Sequence, residues 1–189
     1  MSRPKLIKQL KSKHPKLNYL GVFCNVNKLK VACDIDYLFS ISGPEIQRTL
    51  FEEIILDQIK NIPGKKVVVL GNPTSKKTFN SYDDIEIYNH VDRIKQNEFL
   101  NRAKFVICRS GYTTVMELVA LKKPALMIPT PGQTEQEYLA SHYSKLNIFY
   151  VAQQKNLNLA LELKYVEKNN LLNIGKFPIN KIQGLIDVL

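Results

Sequence analysis

VICRSGYTTVMELVALKKPALMIPTPG, residues Val106 to Gly132, reads as strand, tight turn, helix, strand and proline–glycine loop. A buried strand, a helix and a second apolar strand in immediate succession form a βαβ unit, whose crossover places the two strands parallel. The turn holds Arg109, Ser110, Gly111, Thr113 and Thr114. That is more hydrogen-bonding capacity than a helix entry needs, since one cap residue suffices.

Outward from this unit the same alternation continues. On the N-terminal side, DYLFSIS reads as a buried strand from Asp36 and KKVVVLG as a second. IEIYNHV and KFVICRS supply two more. GPEIQRTLFEEIILDQIK reads as an amphipathic helix with Ile46, Leu50, Ile54, Ile55 and Ile59 on its inner face, and DRIKQNEFLNRA as a helix before the fourth strand. On the C-terminal side come a helix in TEQEYLASHYSKL, a strand in IFYVAQ, a helix in LNLALELKYVEK and a closing helix in INKIQGLIDVL. Several strands are continuous apolar runs, as expected of strands covered on both faces. The fold class is therefore α/β: a doubly wound, mostly parallel sheet with helices on both faces.

Length and composition agree with a single domain. The 189 residues are 44% hydrophobic and 23% charged, and such a chain can bury about 70% of its unfolded surface. Of the 27 basic residues, eight precede the first acidic one, Asp34, so the rest of the chain is close to balanced at 19 basic against 17 acidic. The net charge of +10 thus belongs to a leading segment, residues 1–33, and not to a nucleic-acid face with interleaved aromatics. That segment reads as a solvated lead-in or linker, and it could also hold the protein against anionic lipid at about 1 kcal/mol per basic residue. Residues 34–189 read as the folded domain.

Cys24, Cys33 and Cys108 form no CxxC pair, which favours reduced thiols over a disulfide framework or zinc site. No apolar run approaches the ~20 residues of a membrane span, and no signal-peptide pattern follows the basic start. The expected location is cytoplasmic, with peripheral contact at the inner membrane face open. His14, His90 and His142 lie far apart and suggest no metal ligation.

In open α/β sheets ligands bind beyond the carboxyl ends of the strands, where helix N-termini gather. Three regions qualify: SISGPE, NHVDR with CRSGYTT, and PTPGQTEQE. Helix N-termini favour anions through free N–H groups and the helix dipole, which points to a nucleotide or other phosphorylated ligand. Neither a Walker motif nor GxGxxG occurs.

The CRSGYTTVMEL turn and helix, the PALMIP strand and the EQEY helix start together resemble the C-terminal donor-binding domain of MurG-like glycosyltransferases, a Rossmann-like half of the GT-B fold. The likeness runs from about Leu17 to about Leu163 and is strongest over Val106–Tyr138. It implies that Glu117 accepts hydrogen bonds from the ribose hydroxyls of a UDP-sugar, most often UDP-N-acetylglucosamine or a related hexose. From the residues alone, Thr114-Val-Met-Glu117 also fits a capping box. The resemblance further implies that Ser110, Gly111, Thr113 and Thr114 face the phosphates and that Val91 reads the base through its main chain. Gln136 and Glu137 would face the sugar, with Glu137 standing where the family has a second glutamine. Arg109 is either a phosphate partner or a brace for the loop. Ser42 and Gly43, with Pro44 at the first helical position, would form another anion-facing turn, where Glu45 departs from the family's glycine-rich loop. Glu45 then either points away with Arg48 compensating, or the loop contacts something other than phosphate.

The resemblance implies inverting, metal-independent transfer with no cofactor and no catalytic base in this chain. The base would lie in an N-terminal acceptor half, either part of the same polypeptide or a separate subunit. A sugar-nucleotide epimerase of the same architecture and a non-catalytic nucleotide-binding scaffold are the alternatives.

Overall fold

The computed structural model describes residues 24–76, 78–79 and 84–169. Among the described residues, six strands and five α-helices follow in the order β1 (Ile35–Ser40), α1 (Gln47–Gln58), β2 (Lys66–Val69), β3 (Ile85–Tyr88), α2 (Arg93–Arg102), β4 (Ala103–Cys108), α3 (Tyr112–Leu121), β5 (Ala125–Met127), α4 (Thr134–Lys145), β6 (Tyr150–Val151) and α5 (Leu159–Asn169). The expected INKIQGLIDVL helix lies outside the described residues.

All five strand pairings are parallel, in the order β3-β2-β1-β4-β5-β6. The sheet is thus wholly parallel where the sequence suggested mostly so. Leu38 stands between Val67 and Val106, and Phe39 between Val68 and Ile107. Successive side chains point to opposite faces. Phe39, Val68, Ile107 and Leu126 meet Phe51 and Ile55 of α1 and Leu159 and Leu163 of α5 in one apolar cluster. On the other side α2 packs on β1, β4 and α3, and Phe99, Leu118 and Val119 are buried there.

Helix α1 differs from its expected face. Ile46 and Leu50, assigned inward from the sequence, are 69% and 40% exposed, while Phe51 and Ile55 are fully buried. The helix starts at Gln47, three residues beyond Pro44, so Pro44 is not its first helical residue. Arg48 and Glu52 instead occupy the buried stripe as an ion pair at 2.6 Å, and Arg48 also donates to Leu70 O at 3.1 Å. A buried ion pair at i, i+4 spacing is invisible to a periodicity that counts only apolar residues.

The chain reverses its direction of winding between β1 and β4, the two central strands. Ligand crevices in such sheets open at this point, beyond the strand carboxyl ends.

Candidate functional site

Four helices, α1 to α4, begin on the loops that leave β1, β3, β4 and β5 at this edge. Only α2 among them has a side-chain cap: Asp92 accepts from the Lys95 N–H at 2.7 Å. The N-terminal residues of α1, α3 and α4, flanked by Ile46, Gly111 and Gln133, receive no side-chain cap. Uncapped N–H groups at a helix start need another acceptor, and an anion is the strongest.

At the start of α2, beyond Ser40, Ile41, Val69 and Gly71 at the strand ends, lies a cleft of about 260 Å³. Val91 from the loop after β3 and Glu117 from α3 both line it, although 26 positions separate them in the chain. Glu117 reaches the cleft because α3 begins at Tyr112 with Gly111 as its N-cap. Thr114 is therefore the third residue of the helix, and Glu117 cannot reach back to cap its start. The capping-box reading is excluded on this ground. Burial raises the Glu117 carboxyl above the ordinary glutamate range, opposed by the charge of Arg93, whose guanidinium lies 3.6 Å away. A half-buried carboxylate with little internal engagement is an acceptor suited to a vicinal diol.

Arg109 does not face the cleft as a ligand. It is 1% exposed and donates to Ser42 O (3.4 Å), Ile128 O (3.1 Å), Pro129 O (3.3 Å) and Gln47 O (3.0 Å). Its guanidinium also lies 4.1 Å from the centre of the Phe51 ring, an arrangement suited to cation–π attraction. Of the two roles open to it, the structure supports the brace: one side chain ties the loop after β1 to the loop after β5. Burial lowers its pKa to about 10, which leaves it charged at neutral pH.

Ser110 is fully buried, and its hydroxyl donates to Gln136 O at 2.8 Å, so that hydroxyl is engaged within the fold and is not presented to a phosphate. Gln136 is engaged as well, accepting from the Thr130 N–H at 2.9 Å and donating to Gln133 Oε1 at 2.5 Å. Its side chain shapes the loop instead of pointing out toward a sugar. Glu137 is exposed and accepts from the Gly132 N–H at 2.9 Å. Thr113 is exposed and Thr114 half-buried at the open end of α3, beside Gly111, which has open space where a Cβ would stand.

Ser42 and Gly43 are exposed in the loop after β1. Gly43 has φ +127, and a Cβ there would lie 3.6 Å from Thr130 Oγ1, so the two loops that Arg109 braces run close together here. Glu45 is bound by Arg48 and by Thr49, and these two partners, Thr49 first, hold its carboxyl below the usual range. Glu45 thus pairs with Arg48, which also binds the buried Glu52.

Sequence reasoning missed part of the cleft. Arg93 and Gln96 of α2, and Asn25 and Val26 of the lead-in, also line it; Gln96 Nε2 donates to Ser40 Oγ at 3.2 Å. The position of Arg93 just inside a capped helix was a usable signal. The lead-in offered none, because an extended polar segment has no periodicity to read.

The strand order and the position of the cleft define a Rossmann-like α/β domain of the kind that forms half of a GT-B glycosyltransferase. The chain belongs to the glycosyltransferase family 28 C-terminal domain, matched over residues 47–176. It is 34% identical over 98 residues to the UDP-N-acetylglucosamine–N-acetylmuramyl-(pentapeptide) pyrophosphoryl-undecaprenol N-acetylglucosamine transferase of Histophilus somni, across 50% of this chain and 27% of that protein. The enzyme of the same name from Natranaerobius thermophilus is 30% identical over 124 residues, across 59% of this chain and 34% of that one. The matched region thus spans about a third or less of these relatives. Among solved structures, Acinetobacter baumannii MurG superposes with a TM-score of 0.60 at 16% identity, over 85% of this chain and 50% of that chain. The spinosyn rhamnosyltransferase SpnG does so with 0.61 at 14%, over 84% and 46%. These two likenesses concern the fold.

Proposed function

We propose that this chain is the donor-binding half of an inverting, metal-independent glycosyltransferase and that it binds a UDP-sugar. The observation that carries the reading is the meeting of Val91 and Glu117 in one cleft, with Glu117 on the helix whose start has no side-chain cap. The Val91 main chain would read the edge of uracil, Glu117 would accept from the two ribose hydroxyls, and the N–H groups at Gly111 to Thr114 would hold the diphosphate. As the glycosidic bond breaks, charge grows on that diphosphate. Fixed N–H dipoles aimed at it stabilise the transition state more than the ground state. The acceptor, and the base that deprotonates it, belong to an N-terminal half in the same polypeptide or in a partner subunit. The names of the relatives, which contain a UDP-N-acetylglucosamine donor, favour an N-acetylhexosamine, and Glu137 in place of glutamine is the position to watch for a different sugar.

UDP at a hundred times its Kd should stabilise the protein by about 2.7 kcal/mol, or ~5–10 °C in Tm for a chain of this size. Glu117→Ala should remove most of that shift. Equal shifts with GDP or ADP would defeat the uridine assignment, and an undiminished shift in Glu117→Ala would defeat the ribose assignment. Radiolabelled sugar transfer to lipid should require an added acceptor half; transfer by this chain alone would overturn the two-half reading.

A further inference from the structure

The lead-in from Cys24 to Asp34 belongs to no helix or strand, yet it is fastened along α2 by a specific set of bonds. Asn101 is 8% exposed. Its Oδ1 accepts from the Leu29 N–H at 2.9 Å and its Nδ2 donates to Asn27 O at 3.0 Å. A carbonyl and an N–H two residues apart leave an extended chain on the same side, so one carboxamide pairs with the lead-in as a neighbouring strand would. One turn earlier, Asn97 Oδ1 accepts from the Asn27 N–H at 3.2 Å. The i, i+4 spacing puts both amides on one helix face. Farther along, Arg102 holds Asp34 through two bonds of 2.8 and 2.7 Å.

The fastening bears on the cleft because Asn25 and Val26, just before Asn27, line it together with Asn97, Val91 and Glu117. Ser40, Ile41, Val69 and Gly71, also in the lining, belong to the packed sheet and its strand ends, which yield little. The lead-in wall has no ladder of backbone bonds, so its position depends on the side chains that clip it.

We propose that Asn97 and Asn101 are positioning residues that set the width of the base end of the cleft, and that they thereby select a one-ring pyrimidine over a purine. This inference rests on the reading of the cleft as a nucleoside diphosphate site. A purine would need the lead-in to step outward, which breaks both Asn101 bonds to it and leaves the buried Oδ1 without its donor, while Nδ2 keeps Asn97 O at 2.8 Å.

Titration calorimetry of the full chain with UDP, ADP and inorganic pyrophosphate tests it. The wild type should prefer UDP to ADP. Asn101→Ala should lose about tenfold in UDP affinity, converted from one hydrogen-bonded pair at about 1.4 kcal/mol, and should bind UDP and ADP nearly alike. Pyrophosphate binding should not change, because it needs no base wall; a purely structural defect would weaken all three. Adding Asn25→Ala to Asn101→Ala should cost nothing further, since coupled residues are non-additive. If Asn101→Ala folds poorly, Asn97→Ala, which removes the acceptor of the Asn27 N–H and of one Asn101 Nδ2 contact at 3.3 Å, should move the UDP-to-ADP ratio in the same direction by about threefold. A wild-type ratio in either folded variant, or additive losses in the double variant, overturns the clip alone. A wild type that binds neither nucleotide overturns the donor-site reading and the clip with it.

Discussion

Glu117 is held between burial and the charge of Arg93. Burial disfavours its charged form, and Arg93 at 3.6 Å only partly restores it. Two pH dependences of opposite sign follow. Because the folded-state pKa is raised, the carboxyl contributes stability that is fully present below its unfolded pKa and is lost as pH rises through the folded value. Ribose binding needs the carboxylate, so UDP affinity should rise over that same window. Glu117→Gln should flatten both profiles and weaken UDP by about 10- to 100-fold at neutral pH, the worth of a hydrogen bond to a charged group. Paired melting and titration series from pH 4 to 8 would measure this, and parallel rather than opposed profiles would assign the dependence to another group. The sequence marked Glu117 but left it between capping and binding. The start of α3 at Tyr112 removed the capping reading, a boundary that propensities place only to within a few residues.

At the scale of elements, Arg109 makes the loops after β1 and β5 behave as one unit. A planar guanidinium can donate in several directions at once, whereas an ammonium is a compact point charge. Arg109→Lys keeps the charge but cannot reach Ser42, Gln47, Ile128 and Pro129 together. It should cost about 2–3 kcal/mol, because buried carbonyls lose their donors. UDP binding should fall along with stability as the anion-facing turns separate. Chemical denaturation reads the first effect and calorimetry the second; a variant as stable as wild type would remove the brace. Gly71 shows a similar closeness: at φ +62, a Cβ there would stand 2.4 Å from Ile41 O. The strand and helix segments were legible from apolar runs and periodicity. The inward face of α1 was not, because Arg48 and Glu52 are polar residues that become core only by pairing with each other.

At the scale of the whole molecule, charge and fold are segregated. Six of the 27 basic residues and none of the 17 acidic ones lie within residues 1–23. If this leading charge holds the protein at a membrane, the full chain should sediment with anionic vesicles at 0.05 M salt. It should release near 1 M salt, where screening acts within ~3 Å. Deletion of residues 1–23 should abolish sedimentation without altering the UDP shift. Binding that survives high salt would argue for apolar insertion instead. Among the described residues, no helix is long and apolar enough to cross a membrane.

The sequence by itself determined the parallel α/β class, the family-bearing turn and helix from Cys108 to Glu117, and the edge of the sheet where a ligand would sit. Those features are local, carried by apolar runs, turn residues and fixed spacings. Tertiary structure alone decided which polar groups remain available. It drew Arg109, Ser110 and Gln136 into bracing, left Glu117 open to the cleft, and brought a patternless lead-in against α2 to form a wall. Hydrogen bonds between residues about 70 positions apart depend on how the chain folds back on itself, and that return path is set by packing rather than by local propensity.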